Sequence, residues 1–85
     1  MNTIIKFSAP WCWPCQQYKP VFDEVKNTHS TEAEFLEVDV DTNQEEAIKY
    51  RVMSVPTTIV IKDWQVIHSI TWPLSKEYLT ELIYK

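Results

Sequence analysis

At 85 residues, with a net charge of −4 and 45% apolar residues, the chain has the length of one compact domain and lacks the basic excess that a direct nucleic-acid ligand requires. Met1 leads into Asn2-Thr3-Ile4-Ile5-Lys6 without a basic start, an apolar run or a small-residue cleavage site, and no stretch is long enough to span a bilayer. A single cytoplasmic domain at positions 1–85, monomeric and free of the membrane, is therefore expected.

Thr3 to Phe7 reads as a buried strand, and Trp11-Cys12-Trp13-Pro14-Cys15 follows it directly. From Pro14 to Lys26 the residues Tyr18, Val21, Phe22 and Val25 recur at i, i+3, i+4 and i+7, the stripe of a helix laid on a sheet, with Pro20 inside it and expected to kink it. Phe35 to Val40 is a second strand. Thr42 with Glu45 three residues later has the capping-box pattern and opens a short helix that runs to about Tyr50. Thr57 to Ile61 and Val66 to Ile70, joined by Lys62-Asp63-Trp64-Gln65, form an antiparallel hairpin. Ser75 caps a last helix bearing Tyr78, Leu79, Leu82 and Ile83. The order βαβαββα predicts an α/β fold in which strands alternating with helices pair in parallel and the hairpin adds antiparallel strands at one side. Glycine is absent, so Asn27 and Asp63 are expected at the positions that need positive φ.

The only two cysteines, Cys12 and Cys15, lie where the strand pattern gives way to the helix pattern. In a reducing compartment such a pair points to redox work rather than to a structural staple, and the loop it closes is too small to constrain the unfolded chain much. At the first turn of a helix, Cys12 sits among unpaired N–H groups at the positive end of the dipole, which favour its thiolate. Cys15, one turn further in, can reach it. The chemistry predicts a partly exposed Cys12 of lowered pKa and a shielded Cys15, with Pro14 suited to the first turn and stiffening the ring. A zinc site would need His29 and His68 as further ligands, at separations that match no usual spacing, so no metal and no cofactor is expected. His29, in the polar Asn27-Thr28-His29-Ser30-Thr31 loop, reads as solvated and His68 as a strand-surface residue.

Phe7-Ser8-Ala9-Pro10-Trp11-Cys12-Trp13-Pro14-Cys15, followed by Lys19-Pro20 and Phe22-Asp23-Glu24-Val25, resembles the active-site strand and kinked helix of thioredoxins. Val38-Asp39-Val40-Asp41 and Tyr50-Arg51-Val52-Met53-Ser54-Val55-Pro56-Thr57 resemble that family's next strand and its cis-proline loop. The likeness covers nearly the whole chain; the family's usual first strand and helix have no counterpart, which leaves the trimmed core that glutaredoxins also use. It implies a four-stranded mixed sheet flanked by helices and a cis Val55–Pro56 bond that faces the cysteines and offers Val55 to an extended substrate segment. The implied activity is reduction of protein disulfides through a mixed disulfide, with electrons supplied by a thioredoxin reductase-like enzyme or by glutathione. Val55, the position of Pro14 and the lack of a glutathione-carboxylate motif after the hairpin argue against a glutaredoxin-like enzyme. A binding module that uses the fold as a scaffold is the alternative of a different class.

Three departures from the family pattern matter. Trp13 stands where thioredoxins have glycine within the pair, and Trp72 where they have glycine on the groove rim, so Trp11, Trp13 and Trp72 together imply a more aromatic, narrower binding surface. Lys6 stands where the family carries a buried acid, and Glu37 where it carries the lysine partner. With the signs exchanged, Lys6 and Glu37 are expected to form a partly buried pair beside Cys15, unless Lys6 is exposed and Glu37 unrelated to it. A cation there favours the thiolates, and Glu37, or Lys6 in its deprotonated form, takes over the family acid's proton relay.

Overall fold

β1 (Asn2–Ser8) is buried along most of its length because both of its alternating sets of side chains are covered. In the computed structural model, which describes residues 1–84, α1 (Trp13–Thr28), β2 (Ala33–Asp39), α2 (Gln44–Lys49), β3 (Thr57–Lys62), β4 (Gln65–Ile70) and α3 (Lys76–Ile83) follow. The sheet order is β2-β1-β3-β4. β1 and β2 are parallel, joined through α1, and put Lys6 opposite Glu37. β3 runs antiparallel to β1, with Thr58 opposite Lys6, and β4 closes the hairpin antiparallel to β3.

Ile4 on one face of β1 packs under α1 and α3 with Tyr18, Phe22, Val25, Leu79 and Leu82. The Phe22 ring meets Tyr18 and Phe35 edge-on, at centroid distances of 6.0 and 5.8 Å. Burying each such side chain contributes about 1.5–3 kcal/mol. On the opposite face Ile5, Phe7 and Ile59 pack with Tyr50 at the end of α2 and with Val52 and Val55 of the loop that follows it. α3 begins as the sequence indicates: the Ser75 hydroxyl accepts the Tyr78 N–H at 3.1 Å. At its other end the Asn2 side-chain amide donates to the carbonyls of Leu82 and Ile83, each at 3.4 Å, tying the helix to β1.

Three local expectations are corrected. The Thr42–Glu45 capping box does not form: α2 starts at Gln44 with Asn43 at the N-cap and no side-chain cap. The turn leaving β2 closes on Asp39 instead, whose carbonyl accepts from the Thr42 hydroxyl at 3.4 Å and whose carboxylate accepts the Asp41 N–H at 2.8 Å. Positive φ occurs at Asp63 (52°), Trp64 (68°) and Arg51 (58°), whereas Asn27 lies inside α1. A two-residue hairpin loop needs left-handed backbone at both of its residues, and Arg51 follows the C-cap of α2, so the turns and not the residue types choose the positions. His29 is not left to solvent. It caps the C-terminus of α1, its ring is edge-on to Tyr84, and its Nδ1 lies 3.2 Å from the Tyr84 hydroxyl.

Candidate active site

The chain leaves β1 at Ser8 and turns through Ala9-Pro10-Trp11 into α1, so Cys12 falls at the N-cap with extended backbone (φ −90°, ψ 109°). Its sulfur occupies the place a serine or aspartate oxygen takes in ordinary caps: the Cys15 N–H points to Cys12 Sγ at 3.2 Å. Pro14, in the first turn, gives up an N–H that has no helical partner. A sulfur that accepts a backbone N–H at the positive end of a helix dipole is stabilised as a thiolate. Cys12 and Cys15 are joined in a disulfide, with their Cα atoms 5.2 Å apart.

Ala9, Val40 and Val55 enclose the two sulfurs. Cys15 is shielded at 2% exposure, and so is Cys12 at 5%, which corrects the expectation of a partly exposed Cys12; the apolar enclosure and the bond to Cys15 draw it inward. The Val55 carbonyl oxygen is 3.7 Å from Cys12 Sγ, and the Val55–Pro56 peptide bond is cis. The Thr57 hydroxyl donates to the Ser54 carbonyl at 2.6 Å, closing that loop on itself just before β3.

Beside this loop lies a hollow of about 200 Å³ lined by Trp11, Val40, Val52, Met53, Ser54 and Val55. The Trp11 indole N–H donates to Asp41 at 2.9 Å, which holds an otherwise exposed ring upright at the edge of the hollow. Trp13 and Trp72 are exposed as well, but neither lines this hollow. Met53 and Asp41 are rim residues that sequence reasoning does not single out. Exposed methionine has no local signature, and the partner of Trp11 comes from another strand end.

Lys6 is buried, and its ammonium lies 3.0 Å from Glu37 Oε1; the alternative of an exposed Lys6 unrelated to Glu37 does not hold. Register explains the contact, since parallel neighbours in the same register put their side chains on the same face. Lys19 joins from α1, 3.8 Å from the same Glu37 oxygen and 3.2 Å from Asp23. The hydrogen bond to Asp23, then the charge of Glu37, raise the Lys19 ammonium above the ordinary lysine value. Nearby, the Tyr18 hydroxyl is 2.9 Å from the Thr58 hydroxyl, and burial pushes the phenol up to about 12, with the Thr58 hydrogen bond acting against it. Among the described residues no cluster of three or more His, Cys, Asp or Glu side chains could hold a metal ion.

A disulfide across one helical turn at the N-terminus of α1, faced by an X-Pro loop on a mixed four-stranded sheet, defines a thiol–disulfide exchange domain. The family model named Thioredoxin matches residues 1–85. Thioredoxin of Bacillus subtilis (strain 168) is 43% identical over 82 residues, which span 96% of this chain and 79% of that protein. Among solved structures, thioredoxin of Fasciola hepatica superposes with a TM-score of 0.88 at 34% identity, covering 98% of this chain and 78% of that one. Thioredoxin-2 of a malaria parasite gives a TM-score of 0.92 at 27% identity, over 99% and 82% of the two chains. The chain belongs to the thioredoxin family. It is a thiol–disulfide oxidoreductase that reduces protein disulfides, and membership implies disulfide-containing substrates and a reductase that restores the dithiol. A glutathione-dependent, glutaredoxin-like activity is not favoured.

Proposed function

We propose that Cys12 is the nucleophile and Cys15 the resolving thiol of a single reductase domain over positions 1–85. The Cys12 thiolate attacks one sulfur of a substrate disulfide, forming a mixed disulfide and expelling the other substrate sulfur as a thiolate, which takes up a proton. Cys15 then gives up its proton and attacks Cys12 Sγ, releasing the second substrate thiol and leaving the Cys12–Cys15 disulfide. Two electrons pass to the substrate, and an electron-donor reductase returns them. The observation that carries this assignment is the capping of α1 by Cys12 Sγ, because it stabilises the attacking thiolate before any substrate binds.

Substrate recognition is assigned to Val55 and Pro56, whose loop puts a peptide carbonyl beside Cys12, to Trp11 at the edge of the adjoining hollow, and to the exposed Trp13 and Trp72 as further aromatic contacts outside it. Pro14 stiffens the turn between the sulfurs. The proposed setting is cytoplasmic and monomeric, with no bound cofactor; a reducing compartment is where a recycled dithiol is useful. No helix among the described residues is long and apolar enough to cross a membrane.

Insulin reduction coupled to a thioredoxin reductase, run beside a glutathione-coupled assay, tests the reading. Turnover in the first assay, its loss in Cys12→Ser, and capture of partners as reducible mixed disulfides by Cys15→Ser are the expected results. Turnover only with glutathione, or partner binding that survives Cys12→Ser, would assign the chain to the glutaredoxin-like or scaffold class.

A further inference from the structure

Among the described residues Lys6 is the only charged residue that the fold buries. Besides its contact with Glu37, its ammonium stands 4.9 Å from the centroid of the Phe22 ring. Taking an ammonium out of water costs several kcal/mol even after relaxation, and a single carboxylate offsets that only with excellent geometry. An apolar side chain of similar volume would fill the same space at less cost, so stability alone does not account for the charge.

Its location supplies another account. Lys6 and Glu37 line a cleft of about 350 Å³ that continues past Ala9 and Gln16. Ala9 packs against both cysteines, and Gln16 follows Cys15 on α1. The cleft shares no residue with the Trp11–Val55 hollow, so Lys6 lies behind the disulfide and away from the rim assigned to substrate.

The two charges do not cancel at the sulfurs. The Lys6 side chain is 3% exposed and that of Glu37 is 33% exposed, so water screens the anion more than the cation. Lys19 neutralises the same Glu37 oxygen further, Asp23 is engaged with Lys19 on the outer side of α1, and Asp39 lies on the cleft wall. Of these charges the Lys6 ammonium is the one most shielded from water, so its field is the least screened.

Building on the dithiol assignment above, we infer that Lys6 is a positioning cation that stabilises the reduced, thiolate form of the Cys12–Cys15 pair, and that Glu37 moderates it, so that the two side chains move the reduction potential in opposite directions. Reduction breaks the S–S bond with two electrons and one proton, leaving Cys15 as a thiol and Cys12 as a thiolate. The negative charge created on that sulfur is what the ammonium stabilises, as a nearby cation does for any cysteine.

Equilibrating wild type, Lys6→Met and Glu37→Gln with reduced and oxidised glutathione, and reading the thiol state by alkylation, tests this. Lys6→Met shifts the equilibrium toward the disulfide by about tenfold, which for a two-electron couple is about 30 mV more reducing. Glu37→Gln shifts it toward the dithiol, and the Cys12 thiolate absorbance of Lys6→Met rises at higher pH than that of wild type. A merely structural pair would lower the stability of both variants and leave both potentials at the wild-type value. That result, or shifts of the same sign, overturns the inference. Should Lys6→Met not fold, Glu37→Gln decides alone, because Glu37 is partly solvated: an unchanged or more reducing potential refutes it. Failure of the wild-type dithiol to cycle with any thiol couple would remove the dithiol assignment itself, and the inference with it.

Discussion

On the α1/α3 face of the sheet, Tyr18, Phe22, Leu79 and Leu82 are each at most 1% exposed and join Ile4 and Val60 in one continuous cluster. On the α2 face the buried hydrophobic cluster is smaller, Ile5, Phe7 and Ile59, with Val38, Val52, Val55 and Tyr50 half-open around them. The closely packed face holds the helix that presents Cys12 and Cys15, while the loosely packed face carries the Val55–Pro56 loop and the Trp11 hollow. The difference separates two tasks. The reacting sulfurs need a rigid helix terminus, whereas a surface that accepts varied protein segments is built from the less stable side of the domain.

If stability resides on the α1/α3 face, Phe22→Ala costs about 3–5 kcal/mol and Val52→Ala about 1 kcal/mol or less in urea unfolding of the oxidised protein. Equal costs would break the comparison.

Tyr18 sharpens it through pH. Its folded-state value of about 12 stands above the ordinary tyrosine value of 10.0, so both states are protonated below pH 10 and the contribution is complete there. Between pH 10 and 12 the unfolded chain ionises first, and about 2–3 kcal/mol is lost. Tyr18→Phe should remove that part of the alkaline decline, which the difference between the two unfolding profiles measures.

The smallest effect concerns the open face, where Trp64 sits at the hairpin tip with left-handed backbone and 99% exposure. A bulky residue in that conformation is strained and here gains no burial in return. Trp64→Gly should therefore stabilise the domain by about 0.5–1 kcal/mol, raising the melting temperature and leaving insulin reduction unchanged. A lower melting temperature would mean that the indole packs against the open face.

Much of this layout is legible without coordinates. The strand-to-helix switch around Cys12, the apolar stripe of Tyr18, Phe22 and Val25, the Ser75 cap and the hairpin all depend on neighbours within a few residues, which is the range over which periodicity and capping act. Thr42 and Glu45 show the limit: the pattern suits a capping box, yet Asp39 offers the Thr42 hydroxyl a partner in the preceding turn. The Lys6–Glu37 contact is legible only through likeness to a family, because nothing in the local pattern of either strand says that the two run in register.

By itself, then, the order of residues determined the element sequence and the placing of two cysteines across the first turn of a helix, since both follow from short-range stereochemistry. Only the tertiary structure decided that β1 lies between β2 and β3, that Asp41 holds Trp11, that Cys12 is enclosed by Ala9, Val40 and Val55, and that one ammonium is buried beside Glu37. Those contacts join distant parts of the chain, and they exist because burying the two sheet faces selects one strand order and one register.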